Sequence, residues 1–356
     1  MISGDVGWQT RPETTKISHI NTNENMIWQI AIIVAIFIAY KLNQRRRYRK
    51  IIKGKFEDRH VFITGCDSGF GYDLAMRLDA LGFHVYAGCF TSEGTESLKQ
   101  NSSMNLTTLQ IDVRNIDSIR LTLDIVSDCL PEGKGLWGLV NNAGVYGSIT
   151  HTEWLTKQDY ESVMDVNFYG TVEVTRTFLP LITKEKGRII NMSSAHGRFA
   201  IGSVPYTVAS HAIEAYSDRL RQDMYNTGVT VHVIEPGHYK TDLFDFDEMT
   251  EQYRESWERL PLDRKKYYGN VYSNAYGEKA MNVISTVSSI TYDAVTEAFV
   301  HALTGQCPKH RYVIGKDANR VFLPLSWMPE SWSDFLLKMQ EHIPDSLDKK
   351  LTCPAN

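Results

Sequence analysis

The chain has 356 residues, enough to bury one large core or two modest ones. Hydrophobic residues make up 42% and charged residues 22%, which excludes global disorder, and the formal net charge of −4 argues against a nucleic-acid-binding protein. Its cysteines (Cys66, Cys89, Cys129, Cys307, Cys353) show neither CxxC nor paired spacing, so no disulfide framework and no metal site is expected.

Residues 1–25 are polar. In the stretch 26–42, all residues but Gln29 and Lys41 are apolar. It is short of the roughly 20 residues of an untilted span, but Trp28 and Tyr40 suit the interface and Lys41 can snorkel. Positive charge follows it (Arg45, Arg46, Arg47, Arg49, Lys50 within 43–55), whereas a cleaved signal peptide carries its charge before the apolar core. The expectation is a retained membrane anchor. The positive-inside rule then puts the rest of the chain in the cytosol, in an endoplasmic reticulum membrane rather than a mitochondrial one, with the sequons at Asn101 and Asn105 unglycosylated.

From residue 56 to 320, strand-like and helix-like patterns alternate. Strands are predicted at 60–64, 83–87, 106–111, 136–140, 188–192, 229–234 and 311–315. Helical spacing appears around Leu74 and Leu78, at 116–130, at 162–182, from Tyr206 and at 294–303. This alternation predicts an α/β fold, a doubly wound parallel sheet covered on both faces. Residues 238–290, rich in Tyr, Trp, Glu and Lys, interrupt the rhythm and read as a helical substrate flap. Residues 321–356 open with aromatics broken by prolines, a segment suited to a membrane surface or to packing on the flap.

Three motifs fall at strand ends. After the first strand, Gly65, Gly69 and Gly71 permit a tight turn and the close approach of a pyrophosphate to a helix N-terminus. After the fourth comes Asn141-Asn-Ala143-Gly144. After the fifth, Ser193 and Ser194 precede Tyr206, and a hydroxyl converging with a phenol there can polarise a carbonyl and pass it a proton.

With Thr64-Gly-Cys-Asp-Ser-Gly-Phe-Gly71, Asn141-Asn-Ala-Gly144 and Ser194…Tyr206, residues 55–340 resemble the short-chain dehydrogenase/reductase superfamily. The branch is that of retinol dehydrogenases, 17β-hydroxysteroid dehydrogenases and 3-hydroxybutyrate dehydrogenase. The resemblance implies a nicotinamide cofactor held by Gly65, Asp67, Ser68, Gly69, Gly71, Asp112, Asn141, Ala143, Gly144, Tyr206, Ser210, Pro236, Gly237 and Thr241. It implies Asn167, Ser194 and Tyr206 as catalytic residues, with Ser194 polarising the substrate, Tyr206 as acid/base and Asn167 bending its helix. The end of the second strand, Ala87 to Ser92, offers no cation for a 2′-phosphate, which favours NAD over NADP, although it also lacks the usual acid.

One departure bears on the chemistry. The family has Tyr-x-x-x-Lys, and here the lysine position holds Ser210. A free phenol has a pKa of about 10. Without a neighbouring cation it is a poor base but already holds a proton, so carbonyl reduction is expected to survive better than alcohol oxidation. The expected function is therefore a membrane-anchored, NAD-dependent oxidoreductase acting on a retinoid or steroid, with no nucleic-acid partner and pairing as a homodimer through the helices of Asn167 and Tyr206. The alternatives are a non-catalytic NAD(H)- or lipid-binding relative and a scaffold that keeps only the fold. His196 and His238 flank the expected site and read as loop residues able in principle to carry a proton.

Overall fold

The computed structural model describes residues 17–340, except 53, 55, 242, 270–272, 274, 275 and 278–290. The chain divides into two units at residues 51 and 52. The first contains helix α1 (Ile17–Tyr48), whose stretch Met26–Tyr48 is long and apolar enough to cross a membrane. Arg45, Arg46 and Arg47 sit in its last turn, where cations complement the helix dipole. The anchor expected at 26–42 thus continues into the basic segment as one helix.

The second unit holds a seven-stranded sheet in the order β3-β2-β1-β4-β5-β6-β7, with every neighbouring pair parallel. The strands are β1 (His60–Thr64), β2 (His84–Cys89), β3 (Leu106–Gln110), β4 (Gly138–Asn141), β5 (Arg188–Met192), β6 (Thr230–Pro236) and β7 (Arg311–Ile314). Each predicted strand is present, 60–64 and 188–192 with unchanged ends and the others with ends shifted by at most two residues. The runs Val61-Phe-Ile63 and Leu139-Val140 are fully buried because helices cover both faces, which is why they read as continuous apolar stretches instead of alternating ones.

One face packs α2 (Gly69–Ala80) and the helix 293–304 around Leu74, Leu78, Phe299 and Leu303. The other packs α4 (Ile116–Cys129) and the helices of residues 157–223 around Phe62, Phe178, Ile182 and Ile189. A further helix, α3 (Ser92–Asn101), was not expected from the sequence. It has few apolar residues, and the Thr91 side chain caps it by accepting from Gly94 N–H.

The predicted long helix at 162–182 is three joined pieces: α5 (Lys157–Met164), a π-helical segment Asp165–Gly170 and α6 (Thr171–Glu185). A wider turn of this kind re-aims side chains within a helix. Helix α7 (Val204–Asp223) starts with Pro205 in its first turn, where a missing N–H costs nothing. The flap contributes α8 (Phe246–Glu258) and α9 (Leu262–Tyr268), and residues 242, 270–272, 274, 275 and 278–290 of its expected span lie outside the described residues. The C-terminal segment opens with a short helix Leu323–Leu325 and continues with the helix Glu330–Gln340, with Trp327, Trp332 and Phe335 exposed.

Candidate active site

Between β1 and β4 the strand order reverses, and the loops at their C-terminal ends face each other across a crevice. Thr64 ties them together: its hydroxyl accepts from the backbone N–H groups of Asn142 (3.1 Å) and Ala143 (3.2 Å). The Asn142 amide returns the contact by donating to the Thr64 and Gly65 carbonyls. Gly65 (φ 70°) and Gly69 (φ 60°) use the left-handed region open to glycine. A methyl on Gly65 would stand 2.6 Å from the Ala143 backbone, and one on Gly71 would stand 2.1 Å from the Gly65 carbonyl oxygen. The loop is therefore a bare backbone cradle at the N-terminus of α2.

This cradle opens into a cavity of about 480 Å³. Of the residues singled out from the sequence, Gly65, Asp67, Ser68, Gly69, Ala143, Gly144, Asn167, Ser194, Tyr206, Ser210, Pro236, Gly237 and Thr241 line it. Three do not. Gly71 sits behind the cradle and keeps it tight. Asp112 is engaged by Arg114, which donates to it through its side chain and its backbone N–H, and it is Arg114 that lines the cavity.

Asn141 points into the core instead. Its amide donates to Thr175 Oγ1 (2.9 Å) and Asn191 Oδ1 (2.8 Å), and Asn191 donates to Ser217. This buried chain of side chains joins β4 and β5 to α6 and α7. The neighbouring Asn142, which the sequence reading passed over, is the one that grips the cradle. A repeated Asn-Asn gives no signal of which residue faces which way; strand pleat decides it.

At the other end of the cavity, Tyr206 is half-buried in the first turn of α7. Burial raises its pKa above that of a free tyrosine, while hydrogen bonds with Ser194 and Ser210 pull it down. Ser194 is placed by β5 and by the turn that follows it, its oxygen accepting from His196 N–H. The side chain of Asn167 engages at both ends: it accepts from Val145 N–H and donates to the Val145 carbonyl, both at 2.9 Å. It thereby fastens the π-helical segment to the loop after Gly144.

Asp67 reaches from the glycine loop to the end of β2. Its carboxylate accepts from the backbone N–H groups of Phe90 (2.9 Å) and Thr91 (2.7 Å) and from the Thr91 hydroxyl (2.7 Å). The acid that the end of β2 lacks in sequence thus arrives from 23 residues earlier. Above Tyr206, Leu243, Phe244, Met249 and Gln252 of the flap region line the cavity roof.

The short chain dehydrogenase family model matches residues 59–252. The chain belongs to the short-chain dehydrogenase/reductase family. It is similar to human dehydrogenase/reductase SDR family member 9, with 43% identity over 294 residues covering 81% of this chain and 92% of that one. It is also similar to 17-beta-hydroxysteroid dehydrogenase type 6 of Bos taurus (39%, covering 84% and 93%) and to retinol dehydrogenase 7 of Rattus norvegicus (37%, covering 86% and 95%). Its fold matches a Burkholderia phymatum family member in complex with NAD, with a TM-score of 0.61 at 19% identity over 80% of this chain and 97% of the other. This dehydrogenase/reductase is thus an oxidoreductase that uses a nicotinamide dinucleotide, and its glycine cradle, open only because Gly65 and Gly71 carry no side chain, fits that group.

A further constellation surrounds His196. Its Nε2 lies 3.2 Å from His238 Nε2, and His238 Nδ1 lies 3.2 Å from the Asp317 carboxylate, which also accepts from His238 N–H at 2.7 Å. Both histidines line the cavity. The sequence reading named the histidines but not Asp317, because an acid beyond β7 and a turn after β5 meet only when β5, β6 and β7 lie side by side.

Proposed function

We propose that this protein is a membrane-anchored oxidoreductase that exchanges a hydride between NAD(H) and a lipophilic alcohol or carbonyl, a retinoid or a steroid, working most readily as a carbonyl reductase. The observation that carries this reading is the Ser194–Tyr206–Ser210 hydroxyl group, held in one cavity with the glycine cradle and roofed by apolar flap residues.

Gly65, Ser68, Gly69, Gly144, Pro236, Gly237 and Thr241 would hold the dinucleotide, and its nicotinamide supplies or takes up the hydride. Asp67 favours NAD, since a 2′-phosphate beside an ionised carboxylate is repelled. Ser194 donates to the substrate carbonyl oxygen and holds it against Tyr206. The phenol then gives its proton as negative charge develops on that oxygen. Burial keeps the phenol protonated, which suits this direction and opposes the reverse. Helix 26–48 would hold the enzyme at a membrane, where such substrates partition. The names of the related steroid and retinol dehydrogenases support the substrate class.

The test is NADH-dependent reduction of all-trans-retinal and of a 17-ketosteroid by membranes carrying the wild type, Tyr206→Phe or Ser210→Lys. Turnover by the wild type, lost in Tyr206→Phe, is expected. Turnover by Ser210→Lys alone would reassign the native chain to cofactor or lipid binding.

A further inference from the structure

The hydrogen bonds around His238 fix where its protons are. The Asp317 carboxylate only accepts, so His238 Nδ1 carries a hydrogen and donates to it. A neutral His238 then has a bare Nε2, which accepts from His196 Nε2–H. His196 is left with a lone pair on Nδ1. That atom is buried and has no hydrogen-bond partner among the described residues, and the ring lines the cavity. A buried acceptor without a donor is costly, and function is one reason to keep it.

The string has a second state. If a proton enters at His196 Nδ1, the Nε2 proton passes to His238, which becomes an imidazolium held by Asp317. No atom need move beyond a hydrogen-bond length. Burial and the neighbouring His238 push the His196 pKa down to about 3, so His196 conducts the proton rather than storing it. Burial opposes ionisation of Asp317, but the hydrogen bonds from His238 and from the Ala318 backbone outweigh it and hold its pKa below the usual carboxylate range. The Asp317 side chain is 16% exposed, which gives the string an outlet to solvent.

Around the string stand Tyr146, Tyr206 and Phe322, whose rings lie 6.2, 5.6 and 6.3 Å from that of His196. Tyr206 meets it edge-on, and the His196 backbone N–H bonds the Ser194 hydroxyl, which also lines the cavity. The other titratable group close enough to act on His196 is His211.

We propose that Asp317, His238 and His196 form a one-proton relay into the active-site cavity, restoring the proton balance of Tyr206 in a site whose usual lysine is Ser210. This rests on the oxidoreductase reading above. In alcohol oxidation, the substrate O–H bond breaks as its proton goes to the Tyr206 oxygen. The phenol proton leaves for His196 Nδ1 through a water drawn into the cavity between the two rings, whose centroids lie 5.6 Å apart, the His196 Nε2 proton moves to His238, and the C–H electron pair goes with its hydrogen to NAD⁺. In reduction the same path runs backward and refills Tyr206. His196, His238 and Asp317 act through Tyr206 and are positioning residues.

The test compares the wild type with His196→Gln, His238→Gln and Asp317→Asn in the full-length protein. Expected in all three is NADH binding close to wild type by fluorescence, and an unchanged single-turnover reduction, which uses the proton already on Tyr206. Steady-state oxidation of all-trans-retinol at neutral pH should fall about 10²-fold, with the loss closing at alkaline pH, where the phenol ionises unaided. A variant that no longer binds NADH is set aside in favour of Asp317→Asn, the most exposed of the three positions. Superimposable pH–rate profiles for wild type and variants would overturn the relay. An independent reading comes from ¹⁵N-histidine resonances without cofactor or substrate. His196 should be protonated at Nε2 and bare at Nδ1, and His238 protonated at Nδ1. The opposite His196 tautomer overturns the relay even if the enzyme turns over, whereas the expected tautomers with no wild-type turnover on any substrate would place the failure in the oxidoreductase reading.

Discussion

Tyr206 and Ser210 lie one helical turn apart on α7 and line the same cavity, so the position that would bring a cation to the phenol brings a neutral hydroxyl. A hydroxyl can steady the phenol's orientation, but it offsets little of the cost of ionising a buried tyrosine.

The first expectation concerns pH. The Tyr206 pKa is raised, chiefly by burial, so its base form appears only above the ordinary tyrosine range. Alcohol oxidation should climb with pH from neutral to strongly alkaline conditions, while carbonyl reduction holds level and then falls as the phenol ionises. An oxidation rate flat across that interval, read from kcat against pH, would contradict the role given to Tyr206.

Ser210→Lys should move the rise of that profile toward neutral pH and increase neutral-pH oxidation about 10- to 100-fold. Tyr206→Phe should cost about 10²- to 10⁴-fold in kcat in both directions while leaving NADH affinity within a few-fold. Steady-state rates alongside NADH fluorescence titration separate the two effects. Equal oxidation by Ser210→Lys and wild type would show that charge at this position is not what limits the reaction.

The glycine cradle makes a graded prediction. A methyl at Gly71 would collide with the Gly65 carbonyl at 2.1 Å, so Gly71→Ala should abolish NADH binding. At Gly69 the nearest atom, in Thr241, is 3.5 Å away, and the difficulty is only its φ of 60°. Gly69→Ala should cost about 1–2 kcal/mol of stability and weaken binding without removing it. Thermal unfolding and NADH titration of the two variants give the comparison, and similar losses in both would be contrary to expectation.

Asp67 bridges the glycine loop and the end of β2. Asp67→Asn keeps one acceptor oxygen, toward Thr91, replaces the oxygen that accepts from Phe90 N–H with a donor NH2, and removes the charge. The preference for NADH over NADPH, measured as a ratio of kcat/KM values, should narrow about tenfold. An unchanged ratio would mean that Asp67 serves only to join the two loops.

A buried charge cluster near the end of β6 predicts a pH-dependent stability. Arg311 pairs with Glu214, Asp218 and Glu235, and Arg198 lies 3.7 Å from Glu235. Burial pushes the Glu235 pKa up to about 7, outweighing Arg198. A carboxyl whose pKa is higher folded than unfolded stabilises the fold fully below its unfolded value, near 4.5, and that contribution is lost as pH rises through 7. Glu235→Gln should therefore be close to neutral at pH 5 and raise stability by about 1–3 kcal/mol at pH 8. Denaturant midpoints at the two pH values check it; a variant less stable at pH 8 than the wild type would show that the pairing with Arg311 dominates.

All seven strands and their order of appearance were legible in the chain because each is an apolar run closed by glycine, proline or polar residues, and those signals are local. The glycine cradle and Ser194 were legible for the same reason: each follows a strand's C-terminal end, and a parallel sheet gathers those ends along one edge, while Tyr206 was legible as the start of the helical pattern that comes next. The apolar stretch 26–42 could be read from composition alone, whereas the continuation of its helix to Tyr48 through the basic residues could not. The facing of Asn141 and Asn142 was not written locally, since one step along a strand exchanges core for crevice. Neither was the arrival of Asp67 at the end of β2, nor the meeting of His196, His238 and Asp317. Those contacts depend on which strands become neighbours, and hydrogen bonds between groups 42 and 79 residues apart form only once the sheet has set β5, β6 and β7 in register.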